Sequence, residues 1–167
     1  METVDYYHEI FHRATSIQRE IDLQIPRIEK KVKQEINLSD ILKDKELLKL
    51  VEKLYNDGHH SRAVEEAFKL LNNIVKSTVK IEPELDGSSL MKKAFSANNP
   101  LLMINSGESQ SEKDEQLGYM EIFSGVMTGI RNPRAHEHDW EDTQQRAMEL
   151  ITIADHLIER VRLAKRK

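Results

Sequence analysis

Apolar residues recur along this chain at spacings of three and four, the repeat of one face of an α-helix. The longest such run covers residues 1–36. Val4, Tyr7, Phe11, Ala14, Ile21, Ile25, Ile28 and Val32 fall on a heptad-like seam, with Gln18 and Glu35 as its two polar breaks. The pattern predicts one helical arm, kinked near residues 22–26, because Pro26 lacks an N–H and its ring crowds the preceding turn. A seam of this kind serves either to pack on the arm's own domain or to take a second chain.

A second helix is predicted from Asp44 to Tyr55, with Leu47, Leu48, Val51 and Leu54 on one face. Asn56-Asp57-Gly58 stops it, and Gly58 suits a left-handed cap. A third starts near Ser61 and carries Val64, Ala67, Phe68, Leu71, Ile74, Val75 and Thr78 on a stripe that ends by Pro83 and Asp86-Gly87. Residues 88–97 suit a short helix capped by Ser88 or Ser89. Residues 98–112 have the composition of a loop, anchored by Leu101 to Ile104.

A fourth long helix is expected from Lys113 to Arg131. It carries Gly118, Gly125 and Gly129, each costing roughly 1 kcal/mol against Ala, which makes sense where another backbone approaches closely. Asp139 to Asp142 read as the acidic start of a last helix that runs to the end. No strand is expected, since Val79-Lys80-Ile81 is too short. The prediction is an all-α fold: an arm over 1–37, then a helical domain over 38–167 built as a four-helix-type bundle.

Composition narrows the function. The chain has 167 residues, 38% of them hydrophobic and 32% charged, enough for one core under a charged coat. With 25 Lys+Arg against 29 Asp+Glu the formal charge is -4, so general polyanion binding is not expected and any nucleic-acid contact must be local. Cysteine is absent, which removes disulfide and thiolate chemistry. The first residues lack the pattern of a secretory signal, and no apolar run approaches a membrane span. A cytoplasmic protein without membrane contact is expected.

The informative chemistry sits in Arg131-Asn132-Pro133-Arg134-Ala135-His136. Arg131 is a permanent cation that can grip a phosphate, and His136 can move protons near neutral pH. Pro133 biases Asn132 away from the α region, so the helix is expected to break there and restart with Asn132 as cap. The new helix N-terminus would suit a phosphate. His136 would then take the proton of an RNA 2′-OH or give one to the leaving 5′-oxygen, and Arg131 would stabilise the charge on the phosphate. Asn132 either orients these groups or only caps the turn. Glu65 or Glu66 could orient Arg131 or His136 from a neighbouring helix, and Arg62 and Arg134 could hold substrate. One motif offers a single histidine, so a homodimer would supply both acid and base.

Weaker candidates stand beside it. His136-Glu137-His138-Asp139 could hold a metal. Arg160, Arg162, Lys165, Arg166 and Lys167 form a basic end suited to solubility or to RNA docking.

The motif resembles the R-[polar]-x-x-x-H signature of the HEPN superfamily. With Gly58 to Ala67, Asp86 to Phe95 and Gly125 to His136, the chain resembles the Ymh-type group of HEPN-like proteins over about 60% of its length. The resemblance implies a HEPN-like bundle with the motif at a dimer interface, and metal-independent RNA cleavage to a 2′,3′-cyclic phosphate without a cofactor. It implies a toxin or phage-defence effector or, alternatively, a non-catalytic nucleic-acid-binding or assembly module, with an antitoxin or defence-complex partner on residues 1–36. Some relatives carry a modifiable tyrosine two residues after the histidine; here His138 stands in that place.

Overall fold

The computed structural model describes residues 11–23, 37–81, 84–137 and 139–167. The chain divides into two units, residues 1–37 and 38–167. In the first, residues 11–23 form helix α1, and Phe11, Ile17, Ile21 and Leu23 are exposed on it. Pro26 and most of the predicted seam lie outside the described residues.

The second unit is an all-α bundle. It runs through α2 (Leu38–Ile41), α3 (Lys45–Asn56), α4 (His60–Val79), α5 (Gly87–Ala94), α6 (Gln110–Val126), a π-turn (Met127–Arg131), α7 (Asn132–His136) and α8 (Gln144–Leu163). Helix α4 is central: its apolar stripe packs on α3 and α8, while α5 ties it to α6. Phe68, Leu71, Leu47, Ile151 and Ile158 are fully buried, and Phe95 stacks on Phe123 at 4.1 Å between centroids. Burying one such side chain contributes roughly 1.5–3 kcal/mol, which is why the 3-4 stripes decide the fold. No described helix is long and apolar enough to cross a membrane.

Local chemistry sets the ends. Asp44 caps α3 by accepting from the Leu47 N–H at 2.9 Å, and Gly58 takes φ +83° after it. The buried Asp155 carboxylate accepts from the backbone N–H groups of Lys43 and Asp44, so α8 also holds the start of α3. Helix α6 begins three residues before the predicted Lys113, because Ser109 and Glu112 form a reciprocal capping box.

Other expectations change. Ser88 does not cap α5; its hydroxyl pairs with that of Ser124 at 2.8 Å. Residues 98–112 are built in rather than loose. Leu102–Met103 form strand β1, paired antiparallel with β2 (Lys165–Arg166), so the chain ends in a strand and α8 stops at Leu163. The buried Gln116 holds this hairpin-like closure. Its amide donates to the Phe95 and Leu102 carbonyls, and its oxygen accepts from the Ile104 N–H. Two residues of ladder are too few to show in a hydrophobic repeat. The last helix starts at Gln144, capped by Thr143, rather than within Asp139–Asp142. Asp142 is spent on another contact.

Candidate functional site

The helix does not break at Asn132. Backbone geometry there is helical, φ -62° and ψ -43°, and α6 continues through the π-turn into α7. The reason is local. In an α-helix the ring of Pro133 would strike the carbonyl four residues back, and no N–H would be there to bond it. A wider turn removes the conflict, and the Asn132 N–H reaches the Met127 carbonyl, five residues back. The inserted residue offsets α7 by roughly 100° from the register of α6. Consequently no new helix N-terminus exists for a phosphate, and His136 lies in the last turn of a helix rather than after a bend.

Three motif residues lie on this segment. Asn132 and His136 are four apart and share one face of the helix. The Arg131 guanidinium, half-buried, donates from Nη1 to Asn132 Oδ1 at 3.3 Å. Nε of Arg131 is buried without an acceptor, an unmet donor at the motif. His136 is exposed, and no side chain among the described residues hydrogen-bonds to it.

The remaining candidates are placed otherwise. Arg134, expected to hold substrate, is sealed inside. It donates from Nε and Nη2 to the two oxygens of Asp142, both at 2.6 Å, and from Nη1 to the Ile130 carbonyl at 2.7 Å. Two arms of its fork tie α7 to the segment before α8, and the third bonds back to the π-turn. Arg146 also reaches Asp142, at 3.4 Å, and both guanidiniums lie near the Trp140 ring. Burial pushes the Asp142 carboxyl up, but hydrogen bonds and charge from Arg134, with Arg146 and Ser61, outweigh this and hold it below its ordinary value.

Glu65 and Glu66 do not orient the motif. They grip Arg62 at 2.8 and 2.6 Å, one turn along α4, so Arg62 is already neutralised and does not stand free for substrate. The three arginines of the basic end are likewise engaged: Arg160 with Glu115 at 3.0 Å, Arg162 with Asp44 and Glu46, and Arg166 with the Val79 carbonyl. Among the described residues no three His, Asp or Glu stand close enough to share a metal; His138 lies outside them.

Among the described residues no neighbouring backbone approaches Gly118, Gly125 or Gly129. A Cβ added at any of them would meet nothing within 4 Å. Beside them Leu117 and Ile122 are 40% and 48% exposed, so α6 leaves an open face of small and apolar residues leading to the motif.

Sequence reasoning missed a cleft of about 690 Å³. One wall is the start of α4, from His59 to Arg62; the other is Glu137, Trp140 and Glu141, just past the motif. Arg131, Asn132 and His136 are not in its walls. Trp140 was the available signal, as the chain's one tryptophan, six residues from both Arg134 and Arg146.

A family model described as a protein of unknown function, Hypoth_ymh, matches residues 42–161, more than half of the chain. No curated protein and no solved structure matches.

Proposed function

Since the chain belongs to the Hypoth_ymh family, whose function is unknown, we propose its activity from its own geometry: a metal-independent, HEPN-like endoribonuclease acting as a homodimer, with Arg131 and His136 as its catalytic residues. One observation carries this reading. At a π-turn, a feature frequent at functional sites, an arginine with an unmet donor is bonded to an asparagine, and an exposed histidine follows one helical turn later on the asparagine's face.

The step uses protein groups alone. The RNA 2′-oxygen attacks the adjacent phosphorus, and one His136 takes its proton. The O2′–P bond forms, the P–O5′ bond breaks, and the 5′-oxygen receives a proton from the His136 of the second chain. The products are a 2′,3′-cyclic phosphate and a 5′-hydroxyl. Arg131 neutralises charge on the phosphate as it becomes five-coordinate. The open glycine face of α6 is where the second copy packs, because nothing among the described residues fills it. A role as a toxin or phage-defence effector, with a partner on residues 1–36, follows from the resemblance alone.

A second reading is a non-catalytic nucleotide-binding or assembly module. It draws on the lack of any orienting partner for His136 among the described residues, since Glu65 and Glu66 are committed to Arg62. Incubating the purified protein with total RNA and tRNA in EDTA separates the two. Cleavage abolished by His136→Ala and by Arg131→Ala supports the nuclease. Intact RNA, or cleavage that survives either change, refutes it.

A further inference from the structure

The cleft between α4 and the segment after α7 offers an unusual balance of chemistry. Its two guanidiniums are already spent, Arg62 on Glu65 and Glu66 and Arg134 on Asp142. Glu137 and Glu141 are exposed in its wall and have no partner among the described residues. A phosphate entering the cleft would therefore meet unopposed carboxylates and be repelled. A cation is no better placed at the aromatic wall. The guanidinium carbons of Arg134 and Arg146 stand 5.4 and 6.0 Å from the Trp140 ring, so its attraction for positive charge is already used.

What remains is room for a flat, uncharged group that donates hydrogen bonds. The volume lies within the usual range for a small-molecule site. The exposed ring of His59 can stack on a base, and the free carboxylates of Glu137 and Glu141 can accept from its edge. Among the four RNA bases guanine alone presents two adjacent donors, N1–H and N2–H, on its Watson–Crick edge. That pair matches the two oxygens of one carboxylate. The walls also include Arg134, Ala135 and Glu137, which flank His136 in the chain.

We infer that this cleft is a guanine-reading subsite that holds a base next to the cleaved bond, leaving the phosphate outside with Arg131. The inference rests on the ribonuclease reading for its role, but base binding can be measured without cleavage. The indole N–H of Trp140, buried without an acceptor, gives a single signal in the amide–proton NMR spectrum because the chain has one tryptophan.

The intact protein is titrated with guanosine, adenosine, cytidine and uridine, and with inosine, which keeps N1–H but lacks the 2-amino group. Guanosine is expected to move the Trp140 signal saturably, with the others at least about tenfold weaker, the loss expected from one hydrogen bond to a charged group. Glu137→Gln together with Glu141→Gln should weaken guanosine by a similar factor or more without changing the fold, as both side chains are exposed. His136→Ala should leave binding intact. Equal response to all four nucleosides, or to none, overturns the inference, as does a response to spermidine or an arginine-rich peptide alone. Cleavage that depends on His136 but ignores guanine refutes the subsite and spares the nuclease. Guanosine binding in a protein that cleaves no RNA refutes the nuclease and spares the base site.

Discussion

Arg134 and Asp142 form a two-pronged ion pair sealed inside the protein, both bonds at 2.6 Å and the side chains 1% and 0% exposed. Removing one partner strands the other charge where water cannot reach it. Asp142→Ala should therefore destabilise the fold by about 3–5 kcal/mol, read as a lower urea midpoint. Arg134→Lys should restore little, because an ammonium cannot make the fork. A variant as stable as the wild type would show that α7 is held by other means.

Acid should weaken this pair and, separately, the cap of α3. Burial pushes the Asp44 carboxyl up, but the Leu47 N–H and Arg162 outweigh this and hold it below its ordinary value, as Arg134 does for Asp142. Both folded values lie below the unfolded ones. Their stabilisation is full above the ordinary carboxylate range, about pH 4, and is lost as pH falls through the folded values. Urea midpoints measured stepwise downward from neutral pH should fall there, and less steeply in Asp44→Asn.

Gln116 closes the end of the bundle with three bonds. Gln116→Leu fits the apolar surroundings but orphans the Phe95 and Leu102 carbonyls and the Ile104 N–H. At roughly 1–3 kcal/mol for an unsatisfied group, the β1–β2 closure should open before the bundle does. Hydrogen exchange at Ile104 should accelerate while α4 stays protected; unchanged exchange at Ile104 would refute this role.

The exposed glycines separate folding from assembly. A Cβ at Gly125 meets no atom within 4 Å among the described residues, so Gly125→Arg starts into open space, and leaving glycine in a helix should cost nothing or gain up to about 1 kcal/mol. Light scattering should give twice the chain mass for the wild type and one chain mass for this variant, with cleavage lost and melting unchanged. A dimer that survives the substitution would place the interface elsewhere.

The helices were legible because burial imposes a 3.6-residue period. Leu47, Val51 and Tyr55, or Phe68, Leu71 and Val75, could hardly be buried otherwise. The motif's residues were legible as chemistry, but their setting was not. Pro133 reads as a break, and only the register shift at Met127–Arg131 shows how a helix absorbs it. Arg134 and Asp142 each look like surface charge alone; their pairing depends on how α7 and the next segment meet in space. The Ser109–Glu112 capping box, by contrast, was present in the local sequence and lay in a stretch whose polar composition masked it.

Asn132 tests whether Arg131 needs its neighbour. If the 3.3 Å bond positions the guanidinium, Asn132→Ala should lower kcat by about tenfold, the value of one hydrogen bond. Asn132→Asp keeps the acceptor oxygen and should recover most of it. Equal activity in both variants would make Asn132 a bystander.

The central claim is that the RNA's own 2′-hydroxyl is the nucleophile and His136 moves its proton. It is tested most directly on an oligonucleotide with one preferred cleavage site, made with and without that single 2′-hydroxyl, in EDTA. The all-ribose strand should yield a 2′,3′-cyclic phosphate and a 5′-hydroxyl, and the 2′-deoxy strand should bind yet stay whole at that bond. Cleavage of the 2′-deoxy strand, or cleavage only when a divalent ion is restored, would contradict the account.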